Sequence, residues 1–243
     1  MPFGGPVLTS QRHIMSAKTW LLLESGLGDF ALNMALDEVL LESAPHWDMP
    51  VLRFYGWKEP AASFGYFQKI AEIERITPLR PLVRRPTGGG LVPHADDWTY
   101  SFAVPAAHEW YALSAQESYA RVHEWIRAAF ARLAISTELA SCCRKEAPGQ
   151  CFAGHEKSDL LWLGRKIAGA AQRRTRSGLL IQGSVQPQPP GPGRGDWEKA
   201  MIEAASQAWN VRWQPWALPH SLAARLQWLA EEKYAQDSHN RRR

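Results

Sequence analysis

The stretch PLVRRPTGGGLVPHADDWTYSFAVP (residues 81–105) sets a short apolar run, a triple glycine and a longer β-forming run in direct succession. It reads as a short strand, a glycine loop and a second strand, WTYSFAV (98–104). A long helix follows. Ser114 and Glu117 form an S-x-x-E capping box, and the residues from Tyr119 to Leu133 are apolar on one side. Long helices that interrupt runs of strands at irregular intervals argue for an α+β, mixed-sheet domain rather than a regular series of strand–helix–strand units.

Upstream, LGDFALNMALDEVLLESA (27–44) has helical spacing, with Asp29 as its N-cap. Asn33 and Asp37 lie four apart on one face of that helix and read as a solvated polar stripe. VLRFYGWKEPAASFGYFQ (51–68) reads as two strands joined by a turn at Lys58-Glu59-Pro60. Downstream, short strands are expected around DLLWL, KIAGAAQ and GLLIQGSV between residues 136 and 185. PQPPGPGRGD is a loop, and helical patterns at about 196–209 and 218–235 close the chain. There is no internal repeat.

The bulk properties narrow the function classes. The chain has 243 residues, 45% apolar and 21% charged, enough for one large domain or two small ones with a real core. Twelve tryptophans, six tyrosines and eight phenylalanines predict a deep aromatic core or an aromatic-lined groove. A net charge of +4, part of it in the terminal HNRRR, does not demand a nucleic-acid partner; a mildly basic face suits an acidic protein or a small anion. No apolar run approaches the ~20 residues of a membrane span. The first residues lack the pattern of a signal peptide. Residues 1–15 read as a disordered leader, with Met15 as an alternative start, 16–236 as a single catalytic domain and 237–243 as a basic disordered tail. Three cysteines are too few for a disulfide framework and lack metal-site spacing, so a reducing cytoplasm is expected.

Two stretches carry candidate chemistry. In RRPTGGGLVPH (84–94), Gly88, Gly89 and Gly90 permit positive φ and close approach of the backbone to a ligand. Arg84 and Arg85 can fork onto a carboxylate or phosphate, and His94 can donate or act as a base. The loop is neither a P-loop nor a dinucleotide fingerprint. Asp96 and Asp97 read as solvated turn residues.

In CFAGHEKSDLLWLGRKIAGAAQ (151–172), Lys166 is followed by small residues that leave room for a chain-like ligand. Regular alternation would point Lys166, Ala168 and Ala170 to one face and Ile167, Gly169 and Ala171 to the other. Lys166 reads either as a donor to a carbonyl or carboxylate, or as an edge lysine that blocks strand-to-strand aggregation. Cys151 reads either as a small core residue or as a nucleophile activated by Lys166, His94 or His155. Cys142 and Cys143 read as structural or incidental.

Taken together, RRPTGGGLVPH, TYS (99–101), GRKIAGAAQRR, LLIQGSV, LRFYGWKEPAASFGYFQ and NMALDEVLL resemble the lipoate–protein ligase and octanoyltransferase family, over about residues 20 to 210. The resemblance implies an α+β fold like the biotin and lipoate ligase catalytic domains and the class II aminoacyl-tRNA synthetases: a mixed, largely antiparallel sheet flanked by helices, with the acyl chain in a tunnel or groove. It implies that Lys166 contacts the acyl carbonyl, and that Arg85, Thr87, Gly88, Gly89, Gly90, His94, Gly169 and Ala170 line the substrate pocket. One transferase branch carries its nucleophile in a CF dipeptide upstream of GRK, where Cys151-Phe152 stands. The sequence departs from the family pattern at Ala95, at Ala170-Ala171 and at Gln182.

The resemblance therefore implies an enzyme that moves an octanoyl or lipoyl group from acyl carrier protein, through a thioester on Cys151, to a lysine of a lipoyl-carrier domain. Such domains are those of 2-oxoacid dehydrogenase E2 and the glycine-cleavage H protein. Lys166 and backbone N–H groups near Gly88–Gly90 stabilise the oxyanion in this reading, and His94 is the candidate base for the acceptor amine. No cofactor or metal is expected. The alternatives are an ATP- and Mg-dependent lipoate ligase in which Cys151 is a bystander, and a non-catalytic protein that binds acylated carriers.

Overall fold

The computed structural model describes residues 16–145 and 149–242; the expected leader and the question of Met15 lie outside them. In chain order, β1 (Lys18–Gly28) leads into α1 (Phe30–Trp47), β2 (Val51–Trp57), β3 (Ala61–Phe64) and α2 (Ile70–Ile76). β4 (Leu82–Arg84), β5 (Val92–His94) and β6 (Trp98–Pro105) precede α3 (Glu109–Ala112) and α4 (Ala115–Arg132). Then come β7 (Glu138–Leu139), β8 (Arg144–Lys145), β9 (Gly154–His155), β10 (Leu160–Trp162), β11 (Arg165–Arg174) and β12 (Gly178–Val185). α5 (Arg194–Trp209), β13 (Val211–Pro215), α6 (Ala223–Leu229) and α7 (Asp237–Asn240) complete the order.

An eight-stranded sheet in the order β13-β1-β2-β6-β12-β11-β10-β7 organises these elements. β1 runs parallel to β13 and β2, and the pairings from β2 through β6, β12, β11 and β10 to β7 are antiparallel. The fold is α+β, as expected.

Alternation along the strands explains the layers. In β1, Trp20 and Leu22 join the core under α4 and α5, while Leu21 and Leu23 pack on the α1 side. Phe102 and Val104 of β6 likewise oppose Ala103, and Leu179 and Ile181 of β12 oppose Leu180. Both faces are buried, so these strands read as continuous apolar runs. Trp20 and its tryptophan neighbours form core. Trp20 lies 5.6 Å from the rings of both Trp209 and Trp213 and 5.9 Å from that of Trp125, in edge-on and offset contacts. α4 is fixed at its start by the expected capping box, with Glu117 N donating to Ser114 Oγ and Ser114 N to Glu117 Oε2. Among the described residues no helix is long and apolar enough to cross a membrane.

Two expectations change and a third holds. Asn33 and Asp37 are fully buried, because their face of α1 turns toward the sheet. There Arg53 of β2 donates to Asp37 Oδ1 (2.6 Å) and Asn33 Oδ1 (2.7 Å). The Lys58-Glu59-Pro60 turn does join two strands as expected, and it passes the chain between sheets: β2 stays in the large sheet, while β3 enters a small sheet ordered β4-β3-β5. The segment taken for a disordered tail forms α7 over Asp237–Asn240, with His239 and Asn240 buried against Arg84.

Candidate active site

Lys166 meets Cys151 through a hairpin and a bulge. β10 and β11 are joined by Leu163-Gly164, both at positive φ (50° and 73°), a conformation suited to a two-residue turn. The register then slips between Leu160 and Leu161, which face Ala168 and Lys166. This bulge breaks the expected alternation. The Lys166 side chain lies across Gly169, where an added Cβ would stand only 2.7 Å from Nζ. The small residue after the lysine is thus needed for the lysine's own path. Nor is β11 an edge strand, since β10 and β12 flank it.

Lys166 Nζ donates to Asp159 Oδ2 (2.8 Å) and to the Cys151 carbonyl (2.8 Å), and it lies 3.4 Å from Cys151 Sγ. Asp159, fully buried just before β10, also accepts from Glu156 N (2.6 Å) and from the Tyr119 hydroxyl of α4. Burial penalises the ammonium, but Cys151 and Asp159 beside it prevail and raise Lys166 above its ordinary value. Lys166 is therefore a charged donor at neutral pH, not a base. Burial, then Asp159, holds Tyr119 far above the usual phenol range, so it remains a donor.

The Cys151 segment is tied to the glycine loop. Leu91 N donates to Gly149 O (2.7 Å) and Cys151 N to Leu91 O (3.0 Å). Gly89 has φ +84°, and a Cβ on Gly90 would stand 2.8 Å from Gly149 O, so glycine is required at both positions. Among the described residues the N–H groups of Gly88, Gly89 and Gly90 make no hydrogen bond.

The two loop arginines do not present forks to a ligand. Arg85 is buried, and its guanidinium donates to Gly88 O (2.6 Å), Gly90 O (2.7 Å) and Ser63 O (3.2 Å), which shapes the loop from within. Burial draws it down to about 10, still charged at neutral pH. Arg84 donates to the carbonyls of Tyr66, Gln68, His239 and Asn240. Thr87, also buried, donates to Gln182 Oε1 (2.7 Å), and Gln182 Nε2 donates to Asp37 Oδ2 (2.7 Å). The departure at Gln182 therefore joins the loop to α1.

His94 is not placed as a base. Asp97 Oδ2 lies 2.9 Å from its Nδ1, Ser63 Oγ 2.8 Å from its Nε2, and its ring stacks on Trp57 at 4.0 Å. Asp97 is a buried acceptor rather than a solvated turn residue; despite burial, His94, Ser184 and Thr99 hold its carboxyl below the ordinary value.

Cys151 stands where two cavities meet. A narrow slot of about 40 Å³ is lined by Cys151, Gly89, Ala170, His94, Trp57 and Met34, and Arg85 and Gly169 also border it. A trough of about 420 Å³ is lined by Cys151, Lys166, Gly90, His155 and Gln68. Of the expected residues, Cys151, Lys166, Arg85, Gly89, Gly90, His94, Gly169 and Ala170 thus gather here, while Thr87 supports the loop from behind. Asp159 and Tyr119 carry no signal in the motifs, and Gln182 shows there only as a departure from the family pattern. A hairpin centred on Leu163-Gly164 was the available signal for Asp159, since it brings that residue back beside β11.

The arrangement can hold an acyl thioester on sulfur, with donors ready for its oxygen. Residues 29–187 match the family model described as the lipoyl protein ligase A/B catalytic domain. The chain is 39% identical over 176 residues to octanoyltransferase LipM of Oceanobacillus iheyensis, an alignment covering 68% of this chain and 63% of that protein. It is 34% identical over 188 residues to octanoyltransferase LipM of Bacillus subtilis, covering 70% and 66%. The chain thus spans somewhat less than two thirds of the length of the curated relatives it matches. The fold is shared with a bipartite lipoate protein ligase from Thermoplasma acidophilum: TM-score 0.70, 19% identity, covering 93% of this chain and 96% of that one.

Proposed function

The chain belongs to the lipoyl protein ligase A/B catalytic-domain family, and from that premise we propose that it transfers an octanoyl group from acyl carrier protein, through a thioester on Cys151, to a lysine amine of a lipoyl-carrier domain. The observation that carries this reading is the Lys166 ammonium 3.4 Å from Cys151 Sγ, at the junction of slot and trough. The octanoyltransferase names of the curated relatives support the same chemistry.

In the first half-reaction the Cys151 thiolate attacks the acyl thioester. The oxyanion is met by Lys166 and by the N–H groups of Gly88–Gly90, and collapse expels the carrier thiolate, which takes a proton. The acyl chain lies along Ala170 and Gly169 into the slot, with Arg85, Thr87, Gly89 and His94 forming or backing its walls. In the second half-reaction a neutral lysine amine enters by the trough, attacks the carbonyl and expels the Cys151 sulfur, toward which Lys166 donates; the amine's proton is lost to water. Lipoyl domains of 2-oxoacid dehydrogenase E2 and the glycine-cleavage H protein are the acceptors in this reading. No cofactor is required, and a reducing cytoplasm keeps the thiol free. The internal commitment of Arg84 and Arg85 speaks against an adenylate-forming ligase.

Intact-protein mass after mixing with octanoyl–acyl carrier protein, without ATP, tests the proposal. A hydroxylamine-sensitive octanoyl adduct is expected on the wild type and not on Cys151→Ser. Lipoyl-domain labelling that needs lipoate, ATP and Mg, with no adduct, would replace it with the ligase reading. Carrier binding without turnover under either condition would replace it with the non-catalytic one.

A further inference from the structure

We infer that α7 is a clasp that positions Cys151, with Asn240 as its key residue. The inference rests on Cys151 being the reacting thiol, but its primary test does not require acyl transfer.

The clasp begins at Arg84. Its Nη1 donates to Tyr66 O and Gln68 O, both at 2.7 Å, and its Nη2 and Nε donate to Asn240 O (2.9 Å) and His239 O (3.2 Å). The backbone is bound too: Arg84 N donates to Asn240 Oδ1 (2.8 Å), and Arg84 O lies 3.1 Å from His239 Nε2. Asn240 is itself oriented by donating to Tyr234 O (2.9 Å) and Gln236 O (3.2 Å). One planar fork therefore holds the β3–α2 connection and α7 at a set distance.

From there the chain of bonds reaches the thiol. Gln68 Oε1 accepts from Gly65 N (2.9 Å), and its Nε2 donates to Gly149 O (2.9 Å). Gly149 O also accepts from Leu91 N, and Leu91 O accepts from Cys151 N. Shifting α7 releases Gln68, and with it the segment that sets the distance from Cys151 Sγ to Lys166.

Packing alone does not explain α7. Its sequence, Asp-Ser-His-Asn, contains no aliphatic side chain, and its two buried residues are polar. Burying a guanidinium among carbonyls is no more stabilising than apolar packing of the same volume, so what the arrangement secures is geometry.

The test uses the full chain carrying Asn240→Ala, Gln68→Ala or both. The rate of Cys151 alkylation by iodoacetamide is read on its own peptide, with exposed Cys142 and Cys143 as internal controls. Each single variant should slow Cys151 by about tenfold as the Lys166 contact lengthens, leave the control thiols unchanged, and combine to no more than the larger single effect. An unchanged or raised Cys151 rate in Asn240→Ala, or effects that multiply in the double variant, would overturn the clasp. If Asn240→Ala does not fold, Asn240→Asp keeps the acceptor for Arg84 N but sets a carboxylate oxygen against the Tyr234 and Gln236 carbonyls, so it should also slow Cys151 by about tenfold; an unchanged rate there, or in Gln68→Ala, would overturn the clasp as well. Failure of octanoylation with these alkylation results intact would instead count against the proposed function.

Discussion

Two buried ion pairs divide the labour of this molecule, Arg53–Asp37 and Lys166–Asp159. Their distances are alike, 2.6 and 2.8 Å, and all four residues are buried. Their surroundings differ. Arg53 also donates to Ser25 Oγ and to Asn33, and Asp37 also accepts from Ser101, Tyr55 and Gln182. The pair is closed on itself and joins α1 to the sheet. Lys166 instead directs part of its donor capacity outward, to a half-buried thiol between two cavities. A closed pair specifies structure; an open one has interaction left to give to a reacting group.

The largest effect is expected at the open pair's target. Cys151→Ser should reduce octanoyl transfer by at least about 1,000-fold and leave thermal stability nearly unchanged. A comparable loss of both would mean that the thiol is structural and the contrast false. Asp37→Ala should give the opposite profile. It strands a buried guanidinium and should cost about 3–5 kcal/mol in denaturant unfolding, while the fraction still folded acylates Cys151 within about tenfold of the normal rate, the loss coming from the slackened Gln182–Thr87 support of the glycine loop. A loss below about 1 kcal/mol would show that the closed pair does not hold α1 to the sheet.

Gly169→Ala probes the open pair without touching either charge. Its Cβ would stand 2.6 Å from Lys166 Cε and 2.7 Å from Nζ, so the ammonium must move away from the sulfur. Acylation of Cys151 should fall by about 100-fold with little change in KM, the mark of a contact used in the transition state. A change confined to KM would assign Gly169 to ligand binding alone.

The contrast also separates what sequence could tell from what it could not. The helix cap at Asp29, the capping box at Ser114 and the strands around the glycine loop rest on local pattern and are readable, whereas Lys166 is only one of three partners, with His94 and His155, that the residues leave open for Cys151. The burial of Asp37 is not readable. A polar residue on an amphipathic helix looks solvated until Arg53, in a strand beyond it, arrives to bury it. Asp97 misleads in the same way, because Ser184 of β12, together with Thr99 and the His94 ring, makes that turn an acceptor site. α7 was read from composition as disordered; it is ordered by Arg84, which lies more than 150 residues earlier. Each miss is a polar side chain buried by another element of the fold, and each sound reading is local or carried by several blocks in order.

The smallest effect concerns the wall behind the open pair. His123 of α4 is fully buried, with Nδ1 against Tyr119 O at 2.9 Å; among the described residues its Nε2 has no hydrogen-bond partner. Burial holds it down to about 4, an effect that Asp159 opposes and Lys166 reinforces. An unfolded histidine titrates near 6.5. As pH falls from 6.5 toward 4, the unfolded chain therefore takes up a proton that the folded chain refuses, and stability declines; below about 4 both states carry it and the decline ends. The loss from this group should be on the order of 2 kcal/mol between pH 7 and pH 5. His239, also held near 4 by burial, adds to the same window, whereas Glu38 and Asp97, depressed carboxyls, lose their contributions only as pH falls through and below the ordinary carboxyl values of 4.5 and 3.8. Urea midpoints of the wild type and His123→Leu at pH 7, 6 and 5 check the assignment. The variant should show a clearly shallower slope; parallel slopes would mean that the closed scaffold, and not the wall of the reacting pair, sets the acid limit of the fold.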